Sequence, residues 1–181
     1  MAYKNKILTT SAMRIRFLQT AKDTNGKILE METTYYPTKE KPPVHYHPSQ
    51  TEHFTILEGE MTVLLNNEVK FFSKGQSFIT EPGQPHAMWN ESGKETVVIW
   101  KVSPAMNSEN FLEIINGLIA DGKPANKGFN GLLQMSLTAN KFSPVFRLAK
   151  PPFFIQKIIF SILSPVAWLL GFRSTYEEYI D

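Results

Sequence analysis

Apolar side chains return at every second residue through most of the first hundred positions, the period of a strand with one buried face. Residues 13–20 predict one such strand. After a turn at Asp23-Thr24-Asn25-Gly26, residues 27–36 predict a second, with Leu29, Met31, Thr33 and Tyr35 on a single face. Residues 61–65 and 68–72, joined by Asn66-Asn67, predict a two-residue hairpin. Shorter β-branched or aromatic runs at 54–57, 77–80 and 96–102 lie between turn signals at Gly59, Gly75, Pro82-Gly83 and Ser92-Gly93. Pro37, Pro42 and Pro43 cannot donate to a ladder, so residues 38–43 are expected to be a loop or an edge. Close spacing of this kind predicts an all-β sandwich or barrel.

After Pro104 the period lengthens. Phe111, Leu112, Ile115, Leu118 and Ile119 recur at helical spacing over 109–120, with Ser108 as the expected N-cap and Gly122 and Pro124 as the stop. A loop through Lys127-Gly128-Phe129-Asn130 and a shorter helix over 132–138 follow. Residues 153–172 are almost wholly apolar. As a helix they would gather Gln156, Lys157, Ser161 and Ser164 into one polar stripe, broken or kinked at Pro165. The chain thus divides into a β-barrel domain over 1–104 and a helical extension over 105–181, packed on the barrel or on a dimer partner.

Composition narrows the options. With 181 residues, 42% of them hydrophobic, the chain holds one cored domain and an appendage, and no second catalytic domain. The absence of cysteine excludes disulfides, thiolate ligands and cysteine nucleophiles. No apolar run of signal-peptide length follows the N-terminus, which makes the cytoplasm the default compartment. The net charge of +2 hides an asymmetry: residues 122–176 carry 7 Lys/Arg and no acid. The apolar content of that segment disfavours nucleic acid. Two readings remain, a helix packed across the barrel mouth or a homodimer seam, and a membrane-surface contact through 141–173. A span needs ~20 apolar residues, and Lys157 and Pro165 interrupt the run.

All four histidines fall between His45 and Asn90. His45 and His47 share a strand face, as do Glu52, Phe54 and Ile56, and as do His86, Met88 and Asn90. His53 has the opposite parity to Glu52 and is expected to face outward or to stand behind the ligands without joining them. Two imidazoles on one face, joined by a carboxylate and a third imidazole from neighbouring strands, make a nitrogen and oxygen ligand set suited to late first-row metals.

The run His45-x-His47-x4-Glu52-x6-Gly59 resembles the first motif of the cupin superfamily, and Gly75…Gly83-x2-His86-x3-Asn90 resembles the second. The sequence departs from the family pattern in two places. Lys39 stands where a glycine usually precedes the first motif, and Glu81 stands where a proline is expected, with Pro82 one place late. The resemblance implies a mainly β fold, a double-stranded β-helix or jelly-roll barrel with a C-terminal helical extension. It also implies one divalent metal, whether iron, manganese, nickel or zinc, held by His45, His47, Glu52 and His86. Tyr35, Phe54, Met88, Trp89 and Trp100 are candidates to line the pocket, with plain core as their alternative role.

Three functions are compatible with such a site. One is a dioxygenase-type oxidoreductase acting on a small organic molecule, with Glu52 as a hinged ligand or general base. The second is a non-catalytic carrier or sensor of a small ligand. The third is an isomerase or epimerase of a polar metabolite, for which no acid/base pair apart from the ligands is visible. Fold alone does not choose among them.

Overall fold

The computed structural model describes residues 2–123 and 128–180. Strands β1 (Ile7–Thr9), β2 (Met13–Gln19), β3 (Leu29–Tyr35), β4 (His45–Tyr46), β5 (Thr51–Glu58), β6 (Glu60–Leu65), β7 (Glu68–Ser73), β8 (Ser77–Thr80), β9 (His86–Trp89) and β10 (Thr96–Ser103) are followed by helices α1 (Ser108–Ala120) and α2 (Gly128–Lys141). A short strand β11 (Arg147–Leu148) and helix α3 (Phe153–Leu169) complete the main elements.

The strands form two antiparallel sheets, ordered β1-β2-β3-β10-β5-β8 and β11-β4-β9-β6-β7. Phe54, Ile56, Met61, Val63, Phe78 and Val98 fill the space between them. The alternation in β3 is as expected, since Leu29, Met31, Thr33 and Tyr35 are all buried. The predicted hairpin forms between β6 and β7, with Asn66 and Asn67 at φ 51° and 69°, the left-handed pair that a two-residue hairpin turn requires. Gly59 turns β5 into β6 at φ +77°, and a Cβ there would lie 2.6 Å from the Glu95 carbonyl, so no other residue fits.

Four expectations are corrected. Helix α1 begins at Ser108, after the N-cap Asn107; the Ser108 hydroxyl accepts from Gln50 Nε2 at 2.8 Å and does not cap. Gln50 also donates to the Pro104 and Ala105 carbonyls, which fastens the start of β5 to the segment between β10 and α1. The second helix is longer than expected, because Gly128, Phe129 and Asn130 belong to it; Pro124 and Lys127 lie outside the described residues. Helix α3 runs through Pro165 without a break, which removes the first of the two alternatives, a break or a kink. Its polar residues do not share one environment: Gln156 is buried and Ser164 half-buried, whereas Lys157 and Ser161 are exposed. Strands β1 and β11 are additional to those expected, three and two residues long, too short to show a period.

Candidate metal centre

His45 lies on β4, His86 directly opposite it on β9, and His47 just beyond β4. Glu52 reaches in from β5 of the facing sheet. Each of the three imidazoles offers one ring nitrogen to within 4.8 Å of the others. Pairing of β4 with β9 thus joins residues 41 positions apart in sequence, while the Glu52 carboxylate approaches His47 and His86 from across the barrel.

Backbone carbonyls fix all three rings through Nδ1. His45 Nδ1 lies 3.0 Å from the Pro43 oxygen, His86 Nδ1 2.9 Å from Gln84 and His47 Nδ1 2.5 Å from Val145. A carbonyl only accepts, so each Nδ1 carries its proton and each neutral ring presents a lone pair at Nε2. Two of these bonds are local, reaching back two residues. The third spans 98 residues and comes from the segment between α2 and β11.

The Nε2 atoms of His47 and His86 are buried and face Glu52 Oε2, 3.2 Å and 3.0 Å away. Lone pairs on nitrogen facing a carboxylate oxygen at that distance repel unless a cation or proton lies among them. Ligand bonds of ~2.1 Å place neighbouring donors about 3.0 Å apart in an octahedron and about 3.4 Å apart in a tetrahedron. The three imidazoles therefore form a group that could hold a metal ion, with the Glu52 carboxylate beside two of them. The carboxylate itself is anchored by Thr80 Oγ1, which donates to Oε2 at 3.0 Å, and by Trp100 Nε1, which donates to Oε1 at 3.0 Å.

Titration in the metal-free site follows from this crowding. Burial raises the Glu52 carboxyl, but the His47 and His86 rings outweigh it and hold the group well below its ordinary value. Burial depresses His47, and the Glu52 carboxylate more than compensates, leaving it raised. His45 is pulled down to about 3 by burial and by the neighbouring His86 and His47 rings. Burial, with the Glu52 charge, pushes the Tyr35 phenol up.

The C-terminal extension covers the group. Strand β11 pairs with β4 in the register Arg147↔Tyr46 and Leu148↔His45. The Phe146 ring stacks on His45 with centroids 4.9 Å apart and on Phe111 at 4.8 Å. Neither Val145 nor Phe146 carries a local sign of this role, because their contacts depend on a crossing from a distant segment. The departure at Glu81 leaves the second motif's turn intact: Gln84 N donates to the Glu81 carbonyl at 3.0 Å, and Gly83 N donates to the His47 carbonyl at 2.8 Å. Asn90 is structural, donating through its amide to the Tyr35 and Lys94 carbonyls.

Other sequence candidates occupy several places. Tyr35, Phe54 and Met88 belong to the core between the sheets, where Phe54 stacks between Phe78 and Trp100. Tyr35, Met88 and Trp89 also line a cleft of about 950 Å³, shared with Pro43, the residue that holds His45. His53 is half-buried, on the opposite face of β5 from Glu52.

Residues 31–102 match the cupin-domain family. The chain is 33% identical over 73 residues to an oxidoreductase of Arthrobotrys oligospora, an alignment covering 39% of this chain and 29% of that protein. It is 26% identical over 151 residues to a relative from Hypocrea virens named a probable oxidoreductase, covering 76% of this chain and 67% of that one. The second alignment reaches past the barrel into the helical segment. Among solved structures, an RmlC-like cupin from Shewanella frigidimarina superposes with a TM-score of 0.50 at 19% identity, over 60% of this chain and 92% of that one. That likeness shows the fold.

Proposed function

The chain is a member of the cupin superfamily through its barrel, and on that premise we propose that it is a metal-dependent oxidoreductase of dioxygenase type. Its centre would be His45, His47, His86 and Glu52, and its substrate a small organic molecule. The observation that supports this reading most directly is the convergence of two buried Nε2 atoms on Glu52 Oε2, within a group of three imidazoles. When bound, a divalent transition metal supplies Lewis acidity and open positions for substrate or dioxygen.

The protein's own residues do the rest. Carbonyls of Pro43, Gln84 and Val145 hold the imidazoles in the tautomer that a metal requires. Glu52, held at both oxygens by Thr80 and Trp100, serves as the fourth ligand and as acceptor of a substrate proton. The cleft lined by Tyr35, Met88 and Trp89 has aromatic walls, but none of the four ligand residues lines it, so a substrate held there would have to reach past Pro43 and Met88 to the metal. Both oxygen atoms of dioxygen enter the substrate, so no separate reductant is consumed. The oxidoreductase names of the two relatives favour redox chemistry over isomerisation.

Oxygen uptake by iron-, nickel- and manganese-loaded protein over a panel of flavonols, β-diketones and catechols tests the reading. Turnover with one metal, lost in Glu52→Ala, is the expected result. Tight binding of a panel compound with no turnover under any metal would replace it with a carrier or sensor.

A further inference from the structure

Helix α3 carries many of its apolar side chains outward. Its buried residues are Gln156, Phe160 and Ala167. The Gln156 amide is drawn inside by donating to the Leu148 and Pro151 carbonyls at 2.8 and 2.6 Å. At 3.6 residues per turn these three buried positions fall on one narrow stripe. The opposite arc holds Phe154, Ile158, Ile162 and Leu169, which are 65%, 58%, 66% and 76% exposed, flanked by Val166, Trp168 and Leu170. A continuous exposed apolar face of this extent marks a surface that another body covers.

The charges around that face select the partner. No carboxylate occurs in the sequence between Asp121 and Glu177, and 7 Lys/Arg do. The Arg173 guanidinium lies 5.4 Å from the Trp168 ring centroid and the Lys157 ammonium 5.9 Å from that of Phe153. Cations set beside aromatic rings at the edge of an apolar face match a headgroup layer, with phosphates for the cations and the acyl boundary for the rings. A second copy meeting this face on itself would oppose Lys157 with like charge, and α3 bears no acid to answer it. Seventeen residues rise about 25 Å. Among the described residues, no helix is long and apolar enough to cross a membrane.

We propose that α3 lies in the surface of an anionic phospholipid bilayer, with the Phe154–Ile158–Ile162–Leu169 face sunk to the acyl boundary and Lys157 and Arg173 at the phosphates. Docking would reach the metal centre by a short path. Gln156 holds Leu148, and Leu148 pairs with His45 in the β11–β4 ladder, so the cover of the site sits beside the lipid surface.

Flotation of the full chain with vesicles of equimolar phosphatidylcholine and phosphatidylserine, against phosphatidylcholine alone, tests this. The chain is expected to rise with the anionic vesicles, to bind the neutral ones far less, and to dissociate as salt is raised. Ile158→Ser/Ile162→Ser/Leu169→Ser changes exposed positions and should melt and load metal as the parent does while remaining in the soluble layer. Lys157→Gln should weaken anionic-vesicle binding about fivefold. A chain that stays in the soluble layer with both vesicles overturns the proposal. So does a dimer in solution that the triple variant converts to monomer without any lipid binding, which would assign the face to a second copy.

Discussion

The Nδ1–H of His47 donates to the Val145 carbonyl at 2.5 Å, joining a site residue of the barrel to the C-terminal extension across 98 positions. Because that bond fixes the ring's tautomer, the extension takes part in the site as well as covering it. Phe146, next in sequence, adds its ring to His45.

Loss of that ring should therefore be felt in metal affinity. Phe146→Ala removes the stack on His45 and on Phe111 together, and metal binding measured by competition with a chromophoric chelator should weaken about tenfold. Unchanged affinity, with a lowered melting temperature, would mean that the ring only packs.

The parity of β5 makes a sharp contrast between neighbours. His86→Ala should leave metal far below one per chain by elemental analysis, and His53→Ala should load as the parent does. His86 is fully buried among the imidazoles, whereas His53 is on the outer face. Loss of metal in His53→Ala would require another ligand set.

Donors to a charged carboxylate contribute ~1.5–3 kcal/mol each. Thr80→Val keeps the shape of the side chain and removes the hydroxyl that bonds Glu52 Oε2. Urea unfolding of metal-free Thr80→Val should show a loss within that range. Trp100→Phe should act on Oε1 in the same direction, with an added cost for its smaller ring. Parent-like stability in both variants would show that the carboxylate is not held by them.

The metal-free protein should lose stability toward both pH extremes, for opposite reasons. Glu52 is depressed below its ordinary 4.5, so its contribution is present above that value and lost as pH falls through the folded one. His47 is raised above its ordinary 6.5, so its contribution is complete below 6.5 and lost as pH rises through the folded one. His45, held down to about 3, stays neutral in the folded chain while the unfolded chain protonates it below 6.5, so unfolding midpoints of chelator-treated protein should peak near or above pH 6.5 and fall on both sides. Glu52→Gln should flatten the alkaline side, since His47 then has no carboxylate to favour its charge. A parent profile that is flat on that side would refute the coupling.

Alternation by itself determined most of the barrel. Period-two burial at Leu29, Met31, Thr33 and Tyr35 placed β3, and Asn66-Asn67 placed the hairpin, because both signals are local: one is pleat geometry, the other a backbone conformation at two adjacent residues. The spacing of His45, His47, Glu52 and His86 likewise brought the candidate site into view and set His53 aside, since parity decides which face a strand residue takes. What only the tertiary structure decided depends on encounters between distant segments. Nothing near Val145 or Phe146 in sequence marks them as neighbours of the imidazoles; the β11–β4 pairing brings them there. Helix α3 shows the same limit in reverse. Its residues fit a helix with one polar stripe, but tertiary bonding drew Gln156 inward to two carbonyls and left Ile158, Ile162 and Trp168 outside, because an amide with both partners satisfied can be buried and an apolar side chain needs a surface to meet.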